Sequence, residues 1–213
     1  MTTPQRIARV LTERHGTTYA DQAGIRLRDA PSPLYQLLVL SVLLSARISS
    51  DIAVAAAREL FSAGYRSPAA MRDATWQDRV DALGRGHYRR YDERTATMLG
   101  NGAKLVAERW KGDLRRLHAE GQDVEGVTTL LQEVPGLGPA GASIFCREVQ
   151  GVWPDLAPYV DSRTAKGAEL VGLPTSPSKL AKLGHDGDLP KLVAACVRAS
   201  LSKDVVEDVR SAV

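Results

Sequence analysis

Residues 131–146, Leu-Gln-Glu-Val-Pro-Gly-Leu-Gly-Pro-Ala-Gly-Ala-Ser-Ile-Phe-Cys, hold the spacing in this chain best suited to gripping a phosphate. Apolar Leu131 and Val134 close a short helix, Pro135-Gly136-Leu137-Gly138 makes a tight turn, and Pro139 opens a second helix. Proline suits that first helical position, where its missing N–H leaves nothing unpaired. Glycines on both sides of Leu137 allow positive φ and the close approach of another backbone. A Gly-x-Gly turn feeding a helix N-terminus offers free N–H groups and the positive end of a dipole, which suits an anion. The pattern apolar-x-x-apolar-x-Gly-apolar-Gly-x-x-x-Ala is met at Leu131, Val134, Gly136, Leu137, Gly138 and Ala142. A plain connection between two helices is the alternative, and the full pattern rather than the glycine pair alone favours the phosphate. A second candidate is the run from Gly84 to Arg94, which holds His87, Arg89 and Arg90 among tyrosines. Arginines beside rings supply charge for phosphates and flat faces for bases, although a solvated loop would read the same way.

The elements that must position these residues are helices. Alternating β-branched runs are almost absent, and helical periodicity recurs, so the class is all-α. Helices are expected over Pro4–Arg14, Leu34–Arg47 and Asp92–Trp110; the second is apolar nearly all round, the mark of a buried central helix. Ser49-Ser50-Asp51 caps a helix running to Phe61, and Ser67-Pro68 starts a short one. Thr75-x-x-Asp78 forms a capping box for another, ending near Leu83. Gly100 and Gly102 weaken the long helix and point to close packing there. Later come helices over Ser162–Val171, Leu189–Leu201 and Asp204–Ala212, with Pro174–Pro177 a break. Residues 16–33 carry no assignable pattern.

With 213 residues the chain can form one large domain or two lobes, each with a real core. A net charge of +3 excludes a polycation, so any nucleic-acid surface depends on local clustering. The two cysteines, Cys146 and Cys196, lie in apolar helical contexts and read as reduced, buried thiols of a cytoplasmic protein. Two cannot hold a four-cysteine cluster or zinc. The first residues lack the apolar region of a signal peptide, and Leu37–Leu44 is too short to span a bilayer.

Taken together, three blocks resemble the helix–hairpin–helix (HhH-GPD) DNA glycosylases, most closely the endonuclease III branch. Residues 32–47 are similar to that family's SPxxLLxxxLLSAQ stretch, Val134–Gly138 to its LPGVG hairpin, and Tyr159-Val160-Asp161 to the end of its catalytic loop. The resemblance implies a two-lobed, all-α fold, with residues 30–147 as a helical barrel lobe ending in the hairpin. Residues 1–29 and 148–213 would form the second lobe. It implies double-stranded DNA containing a damaged base or abasic site as partner, a monomer away from membranes, and a nucleoid-associated location. The target nucleotide would be flipped out of the stack between the lobes.

Within that resemblance Asp161 is the catalytic carboxylate, stabilising positive charge on the sugar or activating water; it would also serve as N-cap of the helix that follows. The hairpin Gly136–Gly141, including Leu137, Gly138 and Ala140, would hold backbone phosphate, with a monovalent cation on its carbonyls as in the family. Lys166 falls where relatives carry a basic residue and is expected near a phosphate or near Asp161. Arg47 stands where the family has the glutamine that fills the hole left by the flipped base. Ala140 replaces the Schiff-base lysine of bifunctional relatives, so lyase activity by that route is expected weak or absent. The family's iron–sulfur cysteines are reduced to Cys196, so no cluster is expected. Ser41 stands where adenine glycosylases carry a glutamate, which disfavours adenine. The expectation is a monofunctional DNA N-glycosylase of base excision repair. The alternatives are a DNA-binding protein that has lost turnover, and an abasic-site lyase using Lys104 or Lys166.

Overall fold

The computed structural model describes residues 2–184 and 188–213. Their helices, in chain order, are α1 (Thr3–His15), α2 (Tyr19–Gln22), α3 (Pro31–Leu44), α4 (Ser50–Ser62), α5 (Pro68–Asp73), α6 (Trp76–Arg85) and α7 (Asp92–Trp110). Next come α8 (Leu114–Gly121), α9 (Val124–Leu131), α10 (Pro139–Val149), α11 (Ser162–Leu170), α12 (Pro177–Ala181), α13 (Leu189–Leu201) and α14 (Lys203–Ser211). A 3-10 turn covers Pro154–Leu156, and the described residues contain no strand. The chain divides into a central unit, 20–146, and a terminal unit made from residues 1–19 and 147–213.

The first break therefore falls near residue 20 rather than at 29/30. Residues 20–29 belong to the central unit because Ala23 and Ile25 are buried and Arg58 on α4 donates to the Gln22 carbonyl. In that unit α3 is buried from Pro33 to Leu43 except at the half-buried Gln36, as a nearly all-apolar helix must be. It starts three residues earlier than expected, with Pro31 in the first turn, and stops at Leu44. Ser41 is fully buried there, and its hydroxyl donates back to the Leu37 carbonyl. Helices α4, α7 and α8 pack around α3. The buried Arg79 guanidinium ties three helices together by donating to the carbonyls of Met71, Ala74 and Ala96. Gly100 lies against that guanidinium, where an added Cβ would sit 2.8 Å from Nη2, and Gly102 faces Val134.

The terminal unit is built on α13, which packs against α1, α11 and α14. Its core joins Ala8 and Leu11 of α1 to Ala168 of α11, Cys196 of α13 and Val209 of α14. Arg198 donates to the carbonyls of His15 and Thr17, while Asp208 on α14 accepts from Arg14 at 2.7 Å and contacts His15 Nε2 at 2.8 Å. The two stretches of chain are thus locked together far from their point of connection in sequence. No described helix is long and apolar enough to cross a membrane.

Candidate nucleic-acid interface and carboxylate

In the central unit, the hairpin turn between α9 and α10 is closed by Val134 N–H to Leu131 O and Leu137 N–H to Val134 O, both 3.0 Å. Val134 and Leu137 are buried, so any ligand meets Leu137 through its backbone alone. Gly136 has φ +89°, the left-handed region, and a Cβ there would stand 3.1 Å from both Met98 Sδ and Val42 Cγ1. Gly138 is different from the sequence expectation: its φ is not positive, nothing lies within 4 Å of an added Cβ, and it is exposed. Pro139 and Ala140, opening the 11-residue α10, are exposed beside it. Gly141 is buried against Ser45 Oγ and Leu137, so its lack of a side chain serves helix packing.

Three stretches that the sequence analysis singled out share one cavity of about 270 Å³. Arg47 and Ser45 come from the end of α3, Tyr91 and Arg94 from the arginine-rich segment, and Gly136 from the hairpin. That segment is a shorter loop than expected, because α6 runs on through Arg85 and α7 begins at Asp92. His87, with φ +63°, Arg89 and Arg90 are exposed on it but do not line the cavity. Arg90 stacks over Tyr91 at 5.3 Å. Tyr88 offers no stacking face, being fully buried, and its hydroxyl has no hydrogen-bond partner of normal geometry. Burial pushes that phenol's pKa up, with Thr95 beside it pulling the other way. Arg94, at the end of the arginine-rich segment and in the first turn of α7, is with Arg47 a cation of the cavity wall.

In the terminal unit, Asp161 is the N-cap of α11: Oδ1 accepts from Thr164 N–H at 2.9 Å and from Thr164 Oγ1 at 2.7 Å. Its other oxygen, Oδ2, lies 3.7 Å from Arg147 Nε, and both side chains are largely buried, 14% and 9% exposed. The loop leading to Asp161 is clamped by the buried Gln150. Its Nε2 donates to the carbonyls of Arg147 and Tyr159, and its Oε1 accepts from Tyr159 N–H. Neither Arg147 nor Gln150 carries a sequence signal, since both sit in a run of ordinary helix residues. Lys166, expected near a phosphate or near Asp161, pairs with Glu169 at 2.8 Å on the exposed side of α11, one turn along its own helix. Lys104, in the central unit, lies 3.9 Å from Glu108.

A four-cysteine iron–sulfur centre does not fit these residues. The chain has two cysteines, both buried, and among the described residues no three metal-ligating side chains come together. Burial pushes the Cys196 thiol up to about 12.

No protein-family description matches the chain, and no curated protein sequence matches it significantly. Among solved structures it is similar to the protein in a trapped endonuclease III–DNA covalent intermediate, an estranged-adenine complex. The match covers 92% of this chain and 85% of that one, at 16% identity and a TM-score of 0.50. The chain has the endonuclease III fold. At this identity the likeness carries the helical architecture, and the chemistry has to be argued from the residues themselves.

Proposed function

We propose that the protein is a monofunctional DNA N-glycosylase, with Asp161 as its catalytic carboxylate and double-stranded DNA containing a damaged base as substrate. The observation that carries this reading is a carboxylate held at the end of a loop clamped by Gln150, in a chain with the endonuclease III fold. A flipped-out nucleotide exposes its glycosidic bond. As that bond breaks, its electron pair leaves with the base and the sugar gains cationic character. Asp161 Oδ2, the oxygen not engaged in capping, stabilises this charge more in the transition state than in the ground state. Water then bonds to the sugar carbon, and its proton ends on the departing base. The exposed N–H groups at the start of α10 anchor a backbone phosphate, and Arg47 fills the space that the base leaves. Ala140 has no amine, so no Schiff base forms there and the strand stays intact. The lysines that could replace it, Lys104 and Lys166, each face a carboxylate on their own helix.

A second reading, a binder of damaged DNA without turnover, is favoured by one observation. The Arg147 guanidinium next to Oδ2 offsets part of the negative charge that catalysis would use. One experiment separates the two: duplexes with single lesions are incubated with the protein, then analysed with and without alkali. Alkali-dependent cleavage at a lesion is expected from the glycosylase. Tight binding to abasic duplex with no excision of any lesion would establish the inert binder, and cleavage without alkali would establish a lyase.

A further inference from the structure

At the other end of α3 from Arg47 lies a second, larger cavity of about 420 Å³ whose walls carry Arg26, Arg28, Arg58 and Arg66 and no carboxylate. We infer that this cleft binds the phosphate groups of a second ligand, at a site separate from the hairpin. Four like charges around one cavity repel each other, whereas several arginines elsewhere in the chain are paired with acids: Arg72 with Asp73, Arg85 with Glu59, Arg115 with Asp113. The side chains of Arg26 and Arg28 have neither an ion pair nor a hydrogen bond among the described residues; the Arg28 carbonyl accepts from Ala30 N–H at 2.7 Å. Arg58 and Arg66 each spend their Nε on a carbonyl, of Gln22 at 2.6 Å and of Phe61 at 2.7 Å. Those bonds orient two guanidinium groups and leave their terminal nitrogens for a ligand.

The wall is braced as well as charged. Ser32 Oγ donates to the Arg66 carbonyl at 2.9 Å, and Gln36 Nε2 donates to Ser32 Oγ at 3.1 Å, fixing the loop after α4 to the first turns of α3. Guanidinium forks match phosphate oxygens two at a time, and each charge-assisted pair is about twice as strong as a neutral one. A cavity of this size lies in the range that encloses a small ligand. Ser32 and Ser45 mark the two cavities along α3, and thirteen residues at about 1.5 Å each put them roughly 20 Å apart. The inference does not depend on the glycosylase reading, because an inert protein would bind phosphate here equally well.

The test uses the full chain labelled with ¹⁵N and tripolyphosphate as probe, against sodium chloride at equal ionic strength. Amide shifts are expected at residues 23–36 and 58–66. Arg26→Gln with Arg28→Gln should weaken binding at least roughly tenfold, the equivalent of one charged hydrogen bond. Both side chains are exposed, so the double variant should keep its melting temperature; Arg58→Gln gives an independent second variant. A ten-residue thymidine oligonucleotide and ATP are then added in separate arms. Displacement by the oligonucleotide would mark the source as a nucleic-acid backbone, and displacement by ATP alone would mark a free nucleotide. Shifts that are no larger than with chloride, that survive in both variants, or that appear only at residues 136–141 would overturn the inference.

Discussion

Arg147 Nε stands 3.7 Å from Asp161 Oδ2, with Gln150, three residues after the arginine, clamping the loop that ends in the aspartate. The carboxylate is therefore held from two sides, by its own helix through Oδ1 and by α10 through Oδ2. Arg147 acts as a positioning residue in the glycosylase reading. Asp161→Asn should leave DNA affinity intact and lower excision at least about 10²-fold, the order lost with one preorganised electrostatic group. Asparagine caps helices as well as aspartate, so stability should hold, whereas Asp161→Ala should cost about 1 kcal/mol. Arg147→Gln should lower kcat about tenfold with KM unchanged, the signature of an interaction made in the transition state. Faster excision in that variant would make Arg147 a brake instead.

Ala140→Lys tests the missing amine. Borohydride trapping on abasic duplex should be weak in the wild type and rise in the variant. Strong trapping by the wild type, unaltered by the new lysine, would place the amine elsewhere.

Gly136 and Gly138 should part company. Gly136→Ala forces a side chain into a left-handed turn and against Met98 and Val42, so it should destabilise by more than about 1 kcal/mol and weaken binding to abasic duplex. Gly138→Ala meets open space and should leave the urea midpoint unchanged. Equal midpoints for the two variants would contradict the turn geometry.

Gly167→Ala should be the most damaging small substitution in the terminal unit. Its Cβ would collide with the Cys196 carbonyl and press on the Ser200 amide at 3.1 Å, backbone atoms of α13 that cannot swing aside. Overpacking of this kind costs about 1–3 kcal/mol, and separating α11 from α13 also shifts the cap at Asp161. Urea unfolding reads the first effect and excision the second; a wild-type midpoint would show that the helices part freely.

Acid should loosen the tie at Asp208. A hydrogen bond from His15, then the charge and hydrogen bond of Arg14, hold its carboxyl below the ordinary value of 3.8. A depressed folded-state pKa gives stability that is present above the unfolded value and lost as pH falls through the folded one. Asp208→Asn should therefore melt lower than wild type at neutral pH, with the gap narrowing below about pH 4 as the wild-type carboxylate takes up its proton. A gap that stays constant down to pH 2 would remove Asp208 from the tie.

Much of the fold is written locally. Ser49 caps α4, and Thr75 with Asp78 forms the box that starts α6, because capping needs only residues a turn apart. The apolar run of α3 announces its own burial. Other features depend on partners distant in sequence, and there periodicity is silent. The burial of Tyr88, the clamp by Gln150 and the Arg147 contact are set by tertiary packing. The two-turn α8 leaves no periodic signal, because Leu114 and Leu117 alone make too short a stripe. For the same reason the two hairpin glycines looked equivalent: only neighbours such as Met98 decide which one must adopt the left-handed turn.

The terminal unit draws α1 from the start of the chain and α13 and α14 from its end, and this has a consequence during synthesis on the ribosome. The central unit is a continuous stretch, so it can complete its contacts while the rest is still being made. Helix α1 emerges first yet has to wait for Arg198 and Asp208 before it can dock, and α11 waits for the same α13. A nascent or truncated chain would thus hold a finished hairpin and arginine cleft while Asp161 still lacked its supporting helix. In the glycosylase reading, such a chain has the parts assigned to gripping phosphate before the part assigned to the chemistry.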